Sequence, residues 1–227
     1  MDDKLVEEIK QKNIVSILPP SVGDFKLRET FQLISENGAD REFVIFSYFN
    51  DTNSWSVRGV FNPQSEEYSV RTDIVLLEFS LIEFITDDLD SYCQLVETRL
   101  PRLIHDYYVE RSRNFSKLLL DKGITTAPWS TILPAEHNGF RCLIRPDEAV
   151  RIINGSYMIV AYYHEDLKCG ISIMYNVLRD DFFAEKRIHG IPSLVHDFDG
   201  HDLKTLLHQM ERHFLPILDT LSQEAGI

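Results

Sequence analysis

One amphipathic pattern occurs twice in this chain, 114 residues apart, and it restricts the fold more than any other feature. The first copy runs from Leu89 to Tyr107 and the second from Leu203 to Leu221, with apolar residues at intervals of three and four. That spacing places a single apolar stripe along an α-helix. We therefore predict two core-facing helices, each of which closes one half of the chain. The matched positions are Leu89, Tyr92, Cys93, Val96, Leu100, Leu103, Ile104 and Tyr107, and then Leu203, Leu206, Leu207, Met210, Phe214, Ile217, Leu218 and Leu221.

Similarity at the same offset extends beyond these helices. Residues 43–104 align with residues 157–218 without a gap, and the paired positions agree in apolar character. The pattern predicts a tandem duplication, with repeat unit one at residues 1–110 and repeat unit two at residues 111–227, packed as one compact globule. The identical pairs are Ile45/Ile159, Tyr48/Tyr162, Asn62/Asn176, Ile74/Ile188, Phe84/Phe198, Asp88/Asp202, Leu89/Leu203 and Glu97/Glu211, and Ile-Leu-Pro occurs at 17–19 and 132–134.

Strand patterns lie between an opening helix and the closing helix of each unit. Residues 43–49 and 157–163 are apolar on both faces, which predicts central strands covered on both sides. Residues 54–61 and 168–176 alternate between apolar and polar, which predicts strands with one wet face. The predicted fold class is α+β. We expect a duplicated α-β(4-5)-α unit in which antiparallel meander sheets pack with amphipathic helices in a pseudo-symmetric arrangement.

Shorter sequence patterns add detail to the predicted strands and helices. In the first central strand, strict alternation would place Phe43, Ile45 and Phe49 on one face and Val44, Phe46 and Tyr48 on the other. An opening helix is predicted at residues 2–12, and Asn37-Gly38 predicts a hairpin turn. Pro101 and Pro216 interrupt the closing helices. At Pro101 we expect a kink, or a new helix that runs to about Lys122.

The charge is unevenly distributed. The chain has a net charge of −13, and residues 1–110 contain 21 acidic and 10 basic side chains. This balance disfavours nucleic-acid and anionic membrane partners, which require clustered Lys and Arg. A protein partner with a basic surface, bound through unit one, is the interpretation that fits. The apolar stretch at 152–163 is too short to span a bilayer, and no signal-peptide pattern is present at the start. Three cysteines without a CxxC motif favour reduced thiols and a cytoplasmic location.

The histidines of unit two form the main candidate site. His196, Asp199 and His201 could hold a metal ion if the chain brought them together, since two imidazoles and a carboxylate are a common ligand set. The alternative is a solvent-facing turn, because Asp199-Gly200 is itself a turn and helix-entry signal. The aligned positions in unit one carry no equivalent ligand set.

Other catalytic signatures are lacking in the sequence. It has no Gly-x-Ser-x-Gly motif, P-loop or dinucleotide-binding glycine motif, so we predict no catalytic residues and no cofactor. The acidic pairs Glu66-Glu67 and Asp180-Asp181 occupy equivalent turns, which we interpret as solvated turns rather than acid–base pairs. The aromatic residues of unit one could line a ligand groove, but we interpret them as core.

These observations favour a binding protein over an enzyme. We expect a non-enzymatic binding, adaptor or chaperone-like module that acts through protein–protein contacts, with its oligomeric state left open. The alternative is a metal-dependent or small-ligand-binding enzyme with a site confined to unit two around His196 and His201. The order of elements in each unit resembles that of secretion-chaperone-like and TATA-binding-like domains, a likeness of topology alone.

Overall fold

The computed structural model describes residues 3–36 and 39–226. Helices and two antiparallel sheets make up these residues, so the α+β prediction is confirmed. The chain divides into two compact units, Met1–Val109 and Glu110–Ile227. The predicted turn at Asn37-Gly38 lies outside the described residues. No helix among the described residues is long and apolar enough to cross a membrane.

Unit one contains an antiparallel meander between short opening helices and a long closing helix. Its described strands form a six-stranded sheet in the order β1-β2-β3-β4-β5-β6, so each strand pairs with the next along the chain. Within the described residues, the opening helix ends at Gln11, one residue before the predicted end. The elements are α1 Asp3–Gln11, α2 Ile14–Ile17, β1 Ser21–Val22, β2 Phe25–Glu36, β3 Ala39–Asn50, β4 Ser56–Asn62, β5 Glu67–Asp73, β6 Glu78–Thr86 and α3 Leu89–Ile104.

Unit two has the same order of main elements, but the first part of its sheet consists of short strands that 3-10 turns interrupt. Its described strands form a seven-stranded sheet in the order β13-β12-β11-β10-β8-β7, and β9 pairs with β10. Short 3-10 turns at Pro146–Glu148 and Ile153–Gly155 interrupt the region that corresponds to β2. The elements are α4 Lys117–Asp121, β7 Glu136–His137, β8 Phe140–Ile144, β9 Val150–Arg151, β10 Ser156–His164, β11 Cys169–Asn176, β12 Asp181–Ile188, β13 Ile191–Gly200 and α5 Leu203–Ala225.

The closing helices α3 and α5 follow the predicted stripes. Asp88 and Asp202 cap them, and each carboxylate accepts a backbone N–H from three residues further on, which satisfies an otherwise unpaired donor of the first turn. The fully buried side chains of these helices lie on the stripe positions, as the spacing predicts. They include Tyr92, Val96, Leu100 and Ile104 in α3 and Leu206, Met210, Phe214, Leu218 and Leu221 in α5.

The prediction of a helix from Pro101 to about Lys122 is wrong. Pro101 lies inside α3, which ends at Ile104 and passes into a π-helical turn at His105–Val109. The backbone N–H of His105 still bonds to the carbonyls of Pro101 and Arg102, four and three residues earlier, and the turn that follows takes the wider π-helical spacing. This widened turn buries Tyr108 and leaves Tyr107, the last predicted stripe residue, half-buried.

The predicted division of β3 into two faces is also wrong. Val44 pairs with Val60 and Phe46 pairs with Gly59, so Ile45 is an extra residue in a β-bulge. The bulge reverses the alternation and places Phe46 and Tyr48 on the same face as Phe43. Gly59 is required opposite Phe46, because a Cβ at this position would lie 2.2 Å from the Phe46 ring.

Candidate functional site

The β4–β5 hairpin of unit one presents a pair of aromatic rings. Phe61 at the end of β4 pairs across the ladder with Tyr68 at the start of β5, and their ring centroids lie 4.8 Å apart. Tyr68 also stacks on Tyr92 of α3, at 5.3 Å and with the ring planes 27° apart. All three side chains are buried over most of their surface. Aromatic contacts of this kind fix ring orientation, so the rings form a rigid wall.

The turn of this hairpin positions an acidic side chain beside the rings. The Asn62 carboxamide oxygen accepts the backbone N–H groups of Gln64 and Ser65, at 2.8 and 3.3 Å, and forms an Asx turn. Glu66 then adopts the left-handed conformation with φ of 58°, and its N–H donates to the Asn62 carbonyl at 2.9 Å. The turn that the sequence marks as solvated is therefore a defined loop next to the aromatic pair.

A cavity of about 520 Å³ opens at this position, and we call it the unit-one groove. Its volume falls within the range of protein ligand sites. Its walls combine apolar and aromatic side chains with two carboxylates. The lining residues are Leu5 of α1, Phe61, Pro63, Ser65, Glu66, Tyr68 and Asp87.

The electrostatic environment of the unit-one groove is negative. Glu66 and Asp87 are exposed, and neither pairs with a cation within residues 3–36 and 39–226. Lys12, the lysine at the end of α1, forms its ion pair with Asp90 on α3 instead. Burial raises the pKa of the Tyr68 hydroxyl to about 12, and the negative charges of Glu8 and Asp88 contribute. A cation that entered the groove would meet two carboxylates and the rings of Phe61 and Tyr68.

Unit two builds the same hairpin from different residues. Tyr175 at the end of β11 pairs with Phe182 of β12, and their ring centroids lie 5.1 Å apart. The Asn176 carboxamide oxygen accepts two backbone N–H groups of the turn at 2.9 and 3.0 Å. Asp180 follows in the left-handed conformation with φ of 53°. These four residues occur 114 positions after Phe61, Tyr68, Asn62 and Glu66.

A lysine from the same unit occupies this second site. The Lys122 ammonium lies 5.4 Å from the Tyr175 ring centroid and 5.7 Å from the Phe182 centroid, within the distance of cation–π interactions. It forms an ion pair with Asp180, which also accepts the Tyr175 hydroxyl at 2.7 Å. The Lys122 side chain is 17% exposed. Lys122 and Tyr175 together hold the pKa of Asp180 below its usual value through hydrogen bonds.

The predicted histidine site is only partly assembled. His196 Nδ1 lies 2.7 Å from an Asp199 carboxylate oxygen, and both side chains are exposed at the surface. His201 directs its Nδ1 toward the backbone carbonyl of Asp180 at 2.9 Å. Asp199 and His201 line one cavity of about 620 Å³ together with Phe183. Across the part of the chain that is described, no three His, Cys, Asp or Glu side chains converge as a metal site, and the metal site stays a prediction.

The thiols of the chain are poorly suited to nucleophilic chemistry. Burial raises the pKa of Cys93, Cys142 and Cys169 above the ordinary value of a thiol, so the reactive thiolate is disfavoured at neutral pH. Cys142 donates its thiol to the Ile144 carbonyl at 3.5 Å. All three are free cysteines.

A closed network of charges crosses the sheet of unit one, on the face that carries Arg58 and Arg71. Each arginine contacts both Glu42 and Glu78, at distances from 2.7 to 3.2 Å. The Glu42 side chain is only 5% exposed. Two positive and two negative charges cancel within this cluster, so it adds little net potential and is better suited to holding β3, β4, β5 and β6 in register.

Comparison with known proteins gives no match, whether to a family model, a curated protein or a solved structure. Sequence reasoning identified both acidic turns and the aromatic excess, but it treated them separately and missed Lys122. Two sequence signals could have connected the acidic turns, the aromatic residues and the lysine as parts of one site. These are the identical residues Asn62 and Asn176 before the turns, and the lysine directly before Gly123 at the end of α4.

Proposed function

We propose that this protein is a non-enzymatic binding or adaptor module that docks a protein partner with a basic surface through unit one. The unit-one groove carries the proposal. It combines a cavity of ligand-site volume, a rigid aromatic wall and two carboxylates without a paired cation among the described residues. A flat acidic surface would attract cations without specificity, whereas an apolar groove with acidic edges also contributes buried area.

The overall charge supports the same proposal. Residues 1–110 carry a net charge of −11 and residues 111–227 a net charge of −2, so the negative potential is concentrated in the unit that contains the groove. Charge complementarity of this kind raises association rates and excludes acidic partners. Nucleic acids and anionic membranes are not expected as partners. We place the protein in the cytoplasm, a proposal supported by its three free cysteines.

The two units are proposed to be products of tandem duplication. Support comes from irregular features, which chance reproduces less easily than regular ones. Bulges occur at Ile45 and at Ile159, which are 114 residues apart. The Tyr48 hydroxyl donates to the Pro19 carbonyl, and the Tyr162 hydroxyl donates to the Pro134 carbonyl. Three further pairs at this offset adopt positive φ, namely Ser54/Lys168, Glu66/Asp180 and Val75/His189.

Selection of peptides tests the binding proposal. The full chain would be used to enrich peptides from a random display library, and an enriched peptide would then be measured by calorimetry. We expect Lys or Arg beside apolar residues, and affinity that falls between about 50 mM and about 300 mM salt because exposed charges are screened. A Glu66→Gln, Asp87→Asn double variant should bind at least about fivefold more weakly.

The matched control removes the same charge from unit two. Asp121 and Asp197 are exposed there, and an Asp121→Asn, Asp197→Asn double variant should bind the peptide as the wild type does. Equal affinity for the wild type and the groove variant would contradict the proposal, as would affinity that does not depend on salt.

A further inference from the structure

We propose that the unit-one groove is a receptor for a lysine side chain of the partner, which would lie against Phe61 and Tyr68 with its ammonium paired to Glu66. This inference rests on the proposed function and specifies the chemistry of its ligand. The structure itself contains an example of the occupied state. In unit two, Lys122 lies over the rings of Tyr175 and Phe182 and pairs with Asp180.

The two sites have closely similar frames. The ring centroids are 4.8 Å apart in unit one and 5.1 Å apart in unit two, and the ring planes are tilted by 50° and 39°. In each, an asparagine carboxamide closes the turn and the acidic residue four positions later has positive φ. A frame that seats an ammonium in one unit therefore places an aromatic pair and an acidic side chain at the same positions in the other. Phe61 lacks the hydroxyl that Tyr175 donates to Asp180.

Within residues 3–36 and 39–226, no lysine forms an ion pair with Glu66 or a cation–π contact with Phe61 or Tyr68. Lys12 precedes the left-handed residue Asn13 as Lys122 precedes the left-handed Gly123. Lys12 instead pairs with Asp90, and its side chain is 40% exposed compared with 17% for Lys122. Lys12 is thus held by Asp90 of α3, and it is not among the residues that line the groove.

A second carboxylate, Asp87, lines the groove and makes its potential more negative. The position of Asp87 in unit one corresponds to His201 in unit two, where the imidazole hydrogen-bonds to the Asp180 carbonyl. Two carboxylates thus line the groove of unit one. In unit two, Asp180 has an internal ammonium and an imidazole beside it, and Asp181 and Asp199 line the adjoining cavity with Phe182 and His201. An incoming lysine would place its ammonium beside the two carboxylates of the groove, and cation–π attraction would hold it against the ring faces.

The test uses n-butylammonium as a mimic of the lysine side chain, with n-butanol as the neutral molecule of equal size. Each would be titrated to about 100 mM into the isotopically labelled full chain, since a single side chain binds weakly. We expect saturable NMR shift changes by n-butylammonium at Phe61, Glu66 and Tyr68. Glu66→Gln should weaken this binding about three- to fivefold, the range of an exposed ion pair.

Glu67→Gln is the matched control, because Glu67 is the adjacent exposed acid and does not line the groove. It should leave the titration unchanged. Equal shifts with n-butanol, tighter binding of n-propylguanidinium, or no saturable change at Phe61 and Tyr68 would each overturn the inference. If selected peptides still bind unit one in that case, the lysine site alone has failed. If n-butylammonium binds as expected and no peptide does, the adaptor proposal has failed.

Discussion

The β4–β5 hairpin of unit one and the β11–β12 hairpin of unit two share a frame and differ in what fills it. In unit two, Lys122 completes the site with an ion pair and two ring contacts. In unit one, the corresponding cavity of about 520 Å³ is bordered by Glu66 and Asp87. Unit two pairs the acidic residue of this turn with an internal lysine, whereas unit one leaves it exposed at the groove, where we propose that a partner binds.

The sheets of the two units differ in a related way. Unit one holds two arginines and two glutamates in a closed network, whereas the aligned positions of unit two are Ser156, Ser172, Glu185 and Pro192. Ser156 and Ser172 are buried without charge. The charged network therefore links the strands of the sheet in unit one, and the aligned positions of unit two have no such network. The carboxylates of the groove are not part of it.

The largest effect is expected in the cores of the closing helices. Leu100 and Phe214 occupy matched stripe positions and are fully buried. Leu100→Ala should reduce the free energy of unfolding by about 2–5 kcal/mol and Phe214→Ala by about 3–5 kcal/mol, because each leaves a cavity. Denaturant unfolding measures both, with the exposed Glu97→Ala and Glu211→Ala as controls. Losses below about 1 kcal/mol at both sites would show that these helices do not form the core.

The charge network should give the next largest effect. Arg58→Met leaves the buried Glu42 with Arg71 as its remaining partner in the network, so the free energy of unfolding should fall by about 1–3 kcal/mol. The matched change in unit two, Ser172→Ala, removes a 3.4 Å contact to the Glu185 carbonyl and should cost less than about 1 kcal/mol. A larger loss for Ser172→Ala would reverse the proposed contrast between the sheets.

The lysines that end α1 and α4 should differ in their contribution to stability. Lys122→Met removes contacts with two rings and should lower the free energy of unfolding by about 1 kcal/mol, since the methionine side chain retains part of the packing. Lys12→Met removes an exposed ion pair and should have a smaller effect, which high salt abolishes. Thermal unfolding at two salt concentrations compares them. An equal loss in both variants would contradict the difference between the open and closed sites.

A smaller effect on the free energy of unfolding is expected when the pH is lowered. The pKa of Asp180 is lower in the folded state than its ordinary value of 3.8, chiefly through its hydrogen bond with Lys122. A depressed folded pKa stabilises the protein above the unfolded pKa, and this stabilisation is lost as the pH falls below about 4. Unfolding measured from pH 6 to pH 2.5 should therefore show a shallower acid loss in Lys122→Met than in the wild type. Parallel pH profiles would show that the pair does not set this dependence.

The sequence predicted the closing helices well because their signal is local and repeated. Each helix has one apolar stripe, which includes Leu100 in α3 and Phe214 in α5, and the helical spacing of that stripe is enough to predict the buried face. Asp88 and Asp202 add a recognisable cap at the first turn. The α+β class followed from the same reasoning. The site residues Glu66 and Asp180 were also identified as equivalent turns.

The failures involve features that periodicity does not encode. The bulge at Ile45 inserts one residue into the alternation, and no residue type announces it. The π-helical turn after Pro101 changes the helical period within a few residues. Lys122 lies 53 residues before Tyr175 in the sequence. Its contact with that ring depends on how α4 packs, so spacing within the hairpin could not reveal it.

The number of n-butylammonium sites in the wild type and in Lys122→Met tests the central claim most directly. We predict one saturable NMR site in the wild type, at Phe61 and Tyr68, and a second in the variant, at Tyr175 and Phe182, where the ammonium replaces the lost side chain. Unchanged resonances of unit one would verify that the variant is folded. Binding at Tyr175 and Phe182 in the wild type, or no new site in the variant, would contradict the account of one open and one closed site.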